Sequence, residues 1–306
     1  MAFRLVVVVT LTMCAYVASE WVEEMENPGL FEGDMILSPQ QLEAARKGKL
    51  SYATTIGKQW PGKTVPYAYD LTIKARPRAI KVIQDAIAEY HDKTCIKFKE
   101  RTNEANYIMF YQGGGCSSYV GFKGGPTMPM KVSLAPGCWR KGIVIHELAH
   151  ALGVYHEQSR PDRDGHVEIQ WQNIKQGMDF NFKKQATSKV DSLGTDYDYE
   201  SIMHYGKTAF AKTRGLVTIK TKDPSKQDVI GRRTGFSAID VIQMNRLYNC
   251  GSGPIPTKQT TNPVVTQSPT GSAGCKDGSP ACPGWKSICQ SHPHIAQICK
   301  KTCNLC

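Results

Sequence analysis

The chain has 306 residues, with 38 lysines and arginines against 27 aspartates and glutamates, a formal net charge of +11 and 41% hydrophobic residues. The moderate charge and ordinary apolar content exclude an intrinsically disordered chain and leave room for one large domain or two unequal ones. Eleven cysteines indicate either disulfides in an oxidising compartment or a cytosolic metal site, and the odd number leaves one cysteine without a partner.

The amino terminus has the pattern of a secretory signal peptide. Arg4 precedes an apolar run over residues 5–18, and small residues follow before Glu20. We expect cleavage after Ser19, which removes Cys14 and leaves ten cysteines. An uncleaved membrane anchor is the alternative, but an anchor needs roughly 18 or more apolar residues. The expected mature protein is therefore secreted and extracellular, with no membrane span.

An acidic leader precedes a basic body. Residues 1–50 hold 4 basic and 7 acidic side chains, whereas the remainder holds 34 basic and 20 acidic ones. Electrostatic attraction would suit a leader, residues 20–50, that covers an active face of the body, residues 51–250. Ordinary solvation of two charged surfaces is the alternative.

The body mixes predicted strands and helices. Residues 64–73 have the composition of a strand, and residues 76–93 space their apolar side chains as one amphipathic helix. Further strands are predicted over 96–98, 107–111 and 132–134. This mixture predicts an α+β or α/β class, with a sheet backed by helices.

The motif that carries the chemistry begins at His146 and reads HELAHALGVYHEQSRPDRD. His146 and His150 are four residues apart, which places both imidazoles on one face of a helix, with Glu147 beside them. Gly153 can end the helix, and His156 can then return as a third ligand. Three neutral imidazoles with one open position suit a catalytic site for one Zn²⁺. A helix with solvated histidines is the alternative.

Such a site favours hydrolysis of a peptide bond. Zinc lowers the pKa of a water and polarises a carbonyl group. Glu147, next to the first ligand, is placed to take the proton of the water and later give it to the leaving amine. Nucleic-acid binding by the basic body has no supporting motif and conflicts with secretion.

Composition changes after the body. Residues 251–274 are rich in proline, threonine, serine and glycine without apolar periodicity, which predicts an extended linker. Residues 275–306 carry six of the ten remaining cysteines and are too few to bury a sufficient core. We expect three disulfides to hold this tail together.

The histidine motif and a second segment together resemble a known family. HELAHALGVYHEQSRPDRD is similar to the extended zinc signature of the astacin family of metzincin endopeptidases, and SIMHY, from Ser201 to Tyr205, is similar to its Met-turn. The resemblance runs from Trp60 to Cys250. It implies an α+β fold with a twisted mixed sheet, long helices including an active-site helix, and an irregular carboxy-terminal subdomain. It also implies protein or peptide substrates.

The resemblance implies roles for further residues. Met203 would form a hydrophobic base beneath the zinc. Tyr205 would be an additional, switchable zinc ligand that swings away on substrate binding and helps to stabilise the oxyanion. Lys207 and Arg214 are candidates for cations that accept an acidic side chain just after the scissile bond, and ordinary surface cations are the alternative.

Four cysteines lie in the body, and the sequence alone permits three sets of pairings. The resemblance implies the disulfides Cys95–Cys250 and Cys116–Cys138. Ser117 departs from the family, because an aromatic residue is frequent there, and this bears on subsite preference rather than catalysis. Residues 131–134 would form the edge strand to which an extended substrate adds antiparallel.

The leader contains FEGD at residues 31–34, which resembles the motif by which astacin prosegments place an aspartate on the catalytic zinc. Asp34 would then be a zinc ligand in the zymogen only, in place of the water. The basic cluster at residues 46–49 indicates activation by a trypsin-like protease, with the mature terminus near Ser51; a solvated turn is the alternative. The new amino group would pair with Glu157.

The tail resembles the ShKT module, named after a sea-anemone potassium-channel toxin. The resemblance implies a small disulfide-rich helical domain with the disulfides Cys275–Cys306, Cys282–Cys299 and Cys289–Cys303. The toxin blocks its channel with a Lys-Tyr pair, and QSHPHIAQI between the third and fourth cysteines of the tail lacks both residues. We therefore expect either a docking module, which binds a docking partner, or a spacing module. A toxin-like binding protein is the alternative, but it predicts a degraded zinc motif, and the motif is intact.

Overall fold

The computed structural model describes residues 26–27, 29–37, 59–125, 129–185 and 192–251. The predicted signal peptide, the predicted activation site near Ser51, the predicted linker after Gly251 and the tail with its three predicted disulfides lie outside the described residues. In the described part, no helix is both long enough and apolar enough to cross a membrane.

A six-stranded sheet forms the first half of the described chain. Its strands are β1 Met35–Ile36, β2 Thr64–Tyr69, β3 Lys97–Glu100, β4 Ile108–Tyr111, β5 Cys116–Tyr119 and β6 Met130–Leu134. They lie in the spatial order β1-β5-β6-β4-β2-β3. Neighbouring strands are parallel except for β5 and β6, which are antiparallel. The sheet is therefore mixed.

Two long helices pack against each other and against the sheet, α2 Pro77–Lys93 and α3 Lys141–Ala151. Proline suits the first position of α2, because the backbone N–H that it lacks would have no partner within the helix. The helix predicted over 76–93 is confirmed, and it buries the stripe Ala79, Ile83, Ala86, Ile87 and Tyr90. The Tyr90 hydroxyl donates to the Ile145 carbonyl oxygen at 2.9 Å, which ties α2 to α3.

The strand predicted over 64–73 is too long. The chain leaves β2 after Tyr69 and forms a short helix, α1 Leu71–Lys74. Asp70 starts this helix, because its side chain accepts a hydrogen bond from the Thr72 N–H at 2.9 Å. A side chain that satisfies a free backbone donor favours a helix start over continued pairing in the sheet.

The second half of the described chain is largely irregular. Strands β7 Val167–Ile169 and β8 Ile219–Thr221 form a small antiparallel sheet, and α4 Ala238–Leu247 follows. Its short 3₁₀ turns lie at Glu157–Ser159, Arg163–Gly165, Trp171–Asn173, Asp179–Phe182 and Pro224–Lys226, and the first half contains others at Pro61–Lys63 and Pro136–Cys138. A separate apolar cluster that includes Phe182, Tyr205 and Phe210 forms the core of this half.

The prediction that residues 131–134 form the edge strand is wrong. These residues belong to β6, which lies between β5 and β4. The outer strand contributed by the body on that side is β5, and the leader strand β1 covers it. Strand order depends on long-range pairing, and the local sequence of β6 does not indicate which strands lie beside it.

Two disulfides join distant parts of the body. One bond links Cys95 to Cys250, and the other links Cys116 to Cys138. These are the two pairings that the resemblance implied. The first attaches the end of the described chain next to β3, and the second closes the segment that contains β5 and β6.

Gly142, in the first turn of α3, lies against the backbone of Arg233. A Cβ atom on Gly142 would lie 1.7 Å from the Arg233 carbonyl oxygen and 2.4 Å from its carbonyl carbon. We expect Gly142→Ala to lower the free energy of unfolding by about 3 kcal/mol or more, because backbone atoms cannot rotate aside. Gly165→Ala is the control, since nothing lies within 4 Å of its added Cβ. Equal urea-unfolding midpoints for both variants would contradict this packing.

Candidate metal centre

Helix α3 and the turn after it bring three histidines together. His146 and His150 lie one turn apart on α3, which ends at Ala151. Gly153 reverses the chain with a φ of +104°, a conformation that favours glycine. His156 thereby returns to the same point. The Nε2 atom of His146 lies 3.1 Å from that of His150 and 3.3 Å from that of His156.

Backbone carbonyl groups hold two of these rings from behind. The Nδ1 atom of His146 donates to the Ile202 carbonyl oxygen, and that of His150 donates to the Val154 carbonyl oxygen, both at 2.8 Å. Because a carbonyl oxygen only accepts, these Nδ1 atoms carry the protons. The Nε2 lone pairs of the neutral rings then face each other at 3.1 Å, which is repulsive without a cation between them.

A carboxylate from the leader completes the group. Asp34 Oδ2 lies 3.1 Å from His146 Nε2 and 3.2 Å from His156 Nε2. Its Oδ1 atom lies 3.4 Å from His150 Nε2 and has no hydrogen-bond partner in the part of the chain that the structure describes. Burial of Asp34 opposes its ionisation, but His156 and His150 outweigh burial and hold the pKa of this carboxyl well below its usual range.

The donor set fits zinc. The four buried side chains Asp34, His146, His150 and His156 each offer one ligand atom, and these atoms lie within 4.8 Å of one another. Imidazole nitrogens with a carboxylate oxygen are typical ligands of tetrahedral Zn²⁺. A cation among them would remove the repulsion between the lone pairs and engage the free oxygen of Asp34. These four side chains would therefore hold the metal.

Glu147 is buried beside the ligands, and neither of its carboxyl oxygens has a hydrogen-bond partner among the described residues. Burial, followed by the charge of Asp34, raises the pKa of Glu147 well above its usual range, while Arg233 opposes the shift. A buried carboxyl group without a partner costs free energy. Such a group marks a place where a water or a reactant belongs.

Asp240 holds the Met-turn, which in turn holds His146. The Ile202 N–H and the Ser201 hydroxyl donate to the Asp240 carboxylate at 2.8 and 2.7 Å. Asp240 thereby fixes the Ile202 carbonyl group that orients His146. This residue is absent from the sites predicted from the sequence. The sequence feature that could have identified it is the S-x-x-D spacing from Ser237, because Ser237 and Asp240 form the capping box of α4.

Comparison with known proteins identifies the family to which this centre belongs. Residues 52–249 match the profile of the peptidase family described as Astacin. The chain belongs to the astacin family. Residues 274–306 match a second family, described as ShK domain-like. The protein is thus a zinc metallopeptidase with an astacin domain, residues 52–249, and a ShK-like tail.

Individual relatives agree with this assignment. Zinc metalloproteinase nas-6 of Caenorhabditis elegans is 34% identical over 286 residues, which cover 91% of this chain and 80% of that protein. Bone morphogenetic protein 1 of Xenopus laevis is 42% identical over 194 residues, which cover 62% of this chain and 27% of that protein. Among solved structures, High choriolytic enzyme 1, a hatching enzyme zinc-protease from Oryzias latipes, is 38% identical with a TM-score of 0.57, covering 64% of this chain and 94% of that chain. The expected metzincin-like α+β fold is confirmed.

Tyr205 of the astacin domain, the predicted switchable ligand, faces the leader. Its hydroxyl donates to the Glu32 carbonyl oxygen at 2.5 Å, and its ring centroid lies 4.7 Å from that of His156. Its N–H donates to Gln158 Oε1 at 3.1 Å. Met203, the predicted base beneath the zinc, is buried in the main core. In this state the leader therefore engages the Tyr205 hydroxyl.

Glu157, predicted to pair with the new amino terminus, is buried directly after His156. Its Oε1 atom accepts hydrogen bonds from Arg160 Nη1 at 3.1 Å and from the Asp198 N–H at 2.8 Å. Burial raises the pKa of Glu157 to about 8, although Arg160 opposes the shift. The pairing itself stays a prediction, because the expected terminus lies outside the described residues.

The two candidate subsite cations lie at the surface. Lys207 Nζ lies 2.6 Å from Asp228 Oδ1 in an exposed ion pair. Arg214 is exposed. These surroundings are typical of ordinary surface cations, so a role in substrate preference stays a prediction.

The leader contacts both halves of the astacin domain. Its strand β1 runs parallel to β5, and the Ser118 N–H donates to the Asp34 carbonyl oxygen at 2.9 Å. On the other side, the Phe210 N–H donates to Glu26 Oε1 at 3.0 Å. A small apolar cluster adds to these contacts, formed by Phe31, Met35 and Val120. The leader therefore bridges the sheet and the irregular second half.

Proposed function

We propose that this chain is the latent precursor of a secreted endopeptidase that hydrolyses peptide bonds in extracellular or digestive protein substrates. One observation carries the proposal: Asp34 of the leader lies among the three histidines, with Oδ2 3.1 Å from His146 Nε2. A carboxylate at this point occupies the position that a water and a substrate need. The arrangement supports a zymogen whose leader must leave before turnover.

The proposed domain organisation follows the composition of the chain. The boundaries are a signal peptide at 1–19, a leader at 20–50, a mature catalytic part at 51–250, a linker at 251–274 and a ShK-like domain at 275–306. An activating trypsin-like protease would cut after the leader, and the ShK-like domain would bind a docking partner.

The side chains of the centre divide the work of hydrolysis. Zinc, when bound, would polarise the scissile carbonyl group and activate a water. Glu147 would accept the proton of that water and pass it to the leaving amine, a role that suits its buried carboxyl group. The Tyr205 hydroxyl, once free of the Glu32 carbonyl group, would donate a hydrogen bond to the developing oxyanion.

Strand β5 is the proposed pairing edge for a substrate. It is the outer strand of the astacin domain next to the centre, because its neighbour β1 belongs to the leader. Loss of the leader would leave backbone donors such as the Ser118 N–H without partners. An extended peptide could then add to this edge, with its side chains in alternating pockets.

The environment of Glu157 supports its proposed pairing with the mature amino terminus. A buried carboxyl group whose pKa is raised to about 8 carries a cost of burial that an adjacent ammonium group would offset. The new amino group near Ser51 would supply that charge. Activation would then both remove Asp34 and stabilise the chain next to His156.

Expression of the full chain in secreting cells tests this function. We expect the secreted precursor to be inactive on casein, and the trypsin-treated protein to be active with an amino terminus near Ser51. Removal of zinc with 1,10-phenanthroline should stop cleavage, because the pKa of a water without the metal is too high for Glu147 to take its proton readily. Added Zn²⁺ should restore it. An active protein that still contains Asp34, or activity that resists the chelator, would contradict the proposal.

A further inference from the structure

The third zinc ligand differs from the other two in the origin of its hydrogen-bond partner. His146 and His150 donate from Nδ1 to backbone carbonyl groups of the astacin domain. His156 Nδ1 instead lies 2.8 Å from Glu32 Oε2, which belongs to the leader. Removal of the leader therefore takes away the partner that orients His156 and leaves the partners of the other two rings in place.

The Glu32 side chain is held firmly in this position. It is 1% exposed, and its second oxygen, Oε1, accepts from the Ser159 hydroxyl at 2.9 Å and from Gln185 Nε2 at 3.4 Å. The two oxygens thus make separate contacts, since Oε2 meets His156 and Oε1 fixes the carboxylate to the astacin domain. The Glu32 backbone has a φ of +47°, which is uncommon for a residue other than glycine and points to a constrained turn.

A carboxylate behind an imidazole changes what that ring does for a metal. It fixes the ring orientation and the tautomer, and it makes the opposite nitrogen a more basic ligand. Loss of such a partner costs about 10–100-fold in metal affinity. Burying two carboxylates, Glu32 and Asp34, on one set of histidines is expensive unless a cation lies among them. The geometry therefore connects Glu32 to the metal through His156.

We propose that Glu32 is a positioning residue of the latent state. It strengthens zinc binding through His156, while Asp34 contacts the metal directly. The zymogen then holds zinc more tightly than the mature enzyme, and activation loosens the third ligand as it opens the site. FEGD contains this residue at the position that the F-x-G-D pattern leaves open, so the pattern alone assigns it no role. The inference rests on the proposed latency of the precursor.

Release of zinc from the intact precursor to a chromogenic chelator tests the role of Glu32. We expect Glu32→Ala to release zinc about 10–100-fold faster than the wild-type precursor. Glu32→Gln should have a smaller effect, because its amide oxygen can still accept from His156 Nδ1. Both variants keep Asp34 and the Glu32 backbone carbonyl group that accepts from Tyr205.

Two controls separate this role from simple anchoring of the leader. Ser159→Ala removes a contact to Glu32 Oε1 without touching His156, and Glu26→Ala removes a leader carboxylate that bonds to Phe210. The Glu26 precursor should release zinc at close to the wild-type rate. The Ser159 precursor should release it well below the rate of Glu32→Ala, because Gln185 Nε2 still contacts Glu32 Oε1. Trypsin removes residue 32, so the Glu32 variants and the wild type yield the same mature chain, whose equal release rates show that the astacin domain folded correctly.

Two results would overturn the proposal. One is an unchanged release rate for Glu32→Ala, and the other is an equal acceleration by Ser159→Ala, which would reduce Glu32 to an anchor. The measurement does not depend on proteolysis. If the mature protein failed to cleave any substrate, the proposed function would fall, whereas the zinc release rates would still decide whether Glu32 acts through His156.

Discussion

Replacement of Glu147 with glutamine is expected to lower kcat/KM for peptide hydrolysis by about 10²–10⁴-fold, with zinc still bound. Glutamine keeps the shape of the side chain but cannot accept a proton. The side chain is buried, and neither of its oxygens has a hydrogen-bond partner in the described part of the chain, so it is free to accept a proton from a water. Activity of the trypsin-treated protein on a fluorogenic peptide, together with its zinc content, measures the effect.

Tyr205→Phe provides the comparison for Glu147→Gln. Loss of one donor to an oxyanion costs about 10²–10³-fold in kcat, and it leaves proton transfer intact. The Glu147 variant should therefore lose its activity at every pH, whereas the Tyr205 variant should keep the pH profile of the wild type at a lower rate. Glu147→Gln protein with one zinc and wild-type turnover would refute the assignment of the base.

Replacement of Asp34 with alanine is expected to remove latency from the uncleaved precursor. The Asp34 carboxylate is the leader group that lies within 3.1–3.4 Å of all three histidine Nε2 atoms. Loss of one partner from a buried charged contact costs about 3–5 kcal/mol, which corresponds to a rise of about 10²–10⁴-fold in the accessible fraction of the centre. Hydrolysis of a short peptide before any trypsin treatment measures this change.

Two controls accompany the Asp34 variant. Glu26→Ala also removes a leader carboxylate, but its partner is the Phe210 N–H, so this precursor should stay latent. After trypsin treatment the Asp34 variant and the wild type are the same mature chain and should have the same activity. An Asp34→Ala precursor as inactive as the wild type would show that the leader blocks the cleft by its bulk alone.

The sequence predicts that the three candidate histidine ligands converge, because the pattern that brings them together is local. A spacing of four residues places His146 and His150 on one face of a helix, and Gly153 allows the reversal that returns His156. Two of the partners that orient these rings come from far along the chain: Glu32 lies 124 residues before His156, and Ile202 lies 56 residues after His146. Asp240, which fixes Ile202, lies 38 residues further on. No local pattern records such contacts.

The same distinction separates the elements that were predicted from those that were missed. The helix over 76–93 carries its own periodicity, and its burial follows from that stripe. Strand β5 reads CSSY, with no apolar alternation, and only its neighbours in the sheet make it a strand. The prediction of an edge strand at 131–134 fails for the same reason, because strand order depends on pairing and not on composition.

The direction of β1 bears on how the leader can be cleaved. Strand β1 runs parallel to β5, whereas a substrate that adds to this edge antiparallel runs the other way. The carbonyl and amide groups of the leader therefore pass the centre in the opposite order to those of such a substrate. We expect a leader bound in this direction to be a poor substrate of the domain that it covers. We therefore expect its removal to need a cut outside the site, made by another protease such as the proposed trypsin-like one.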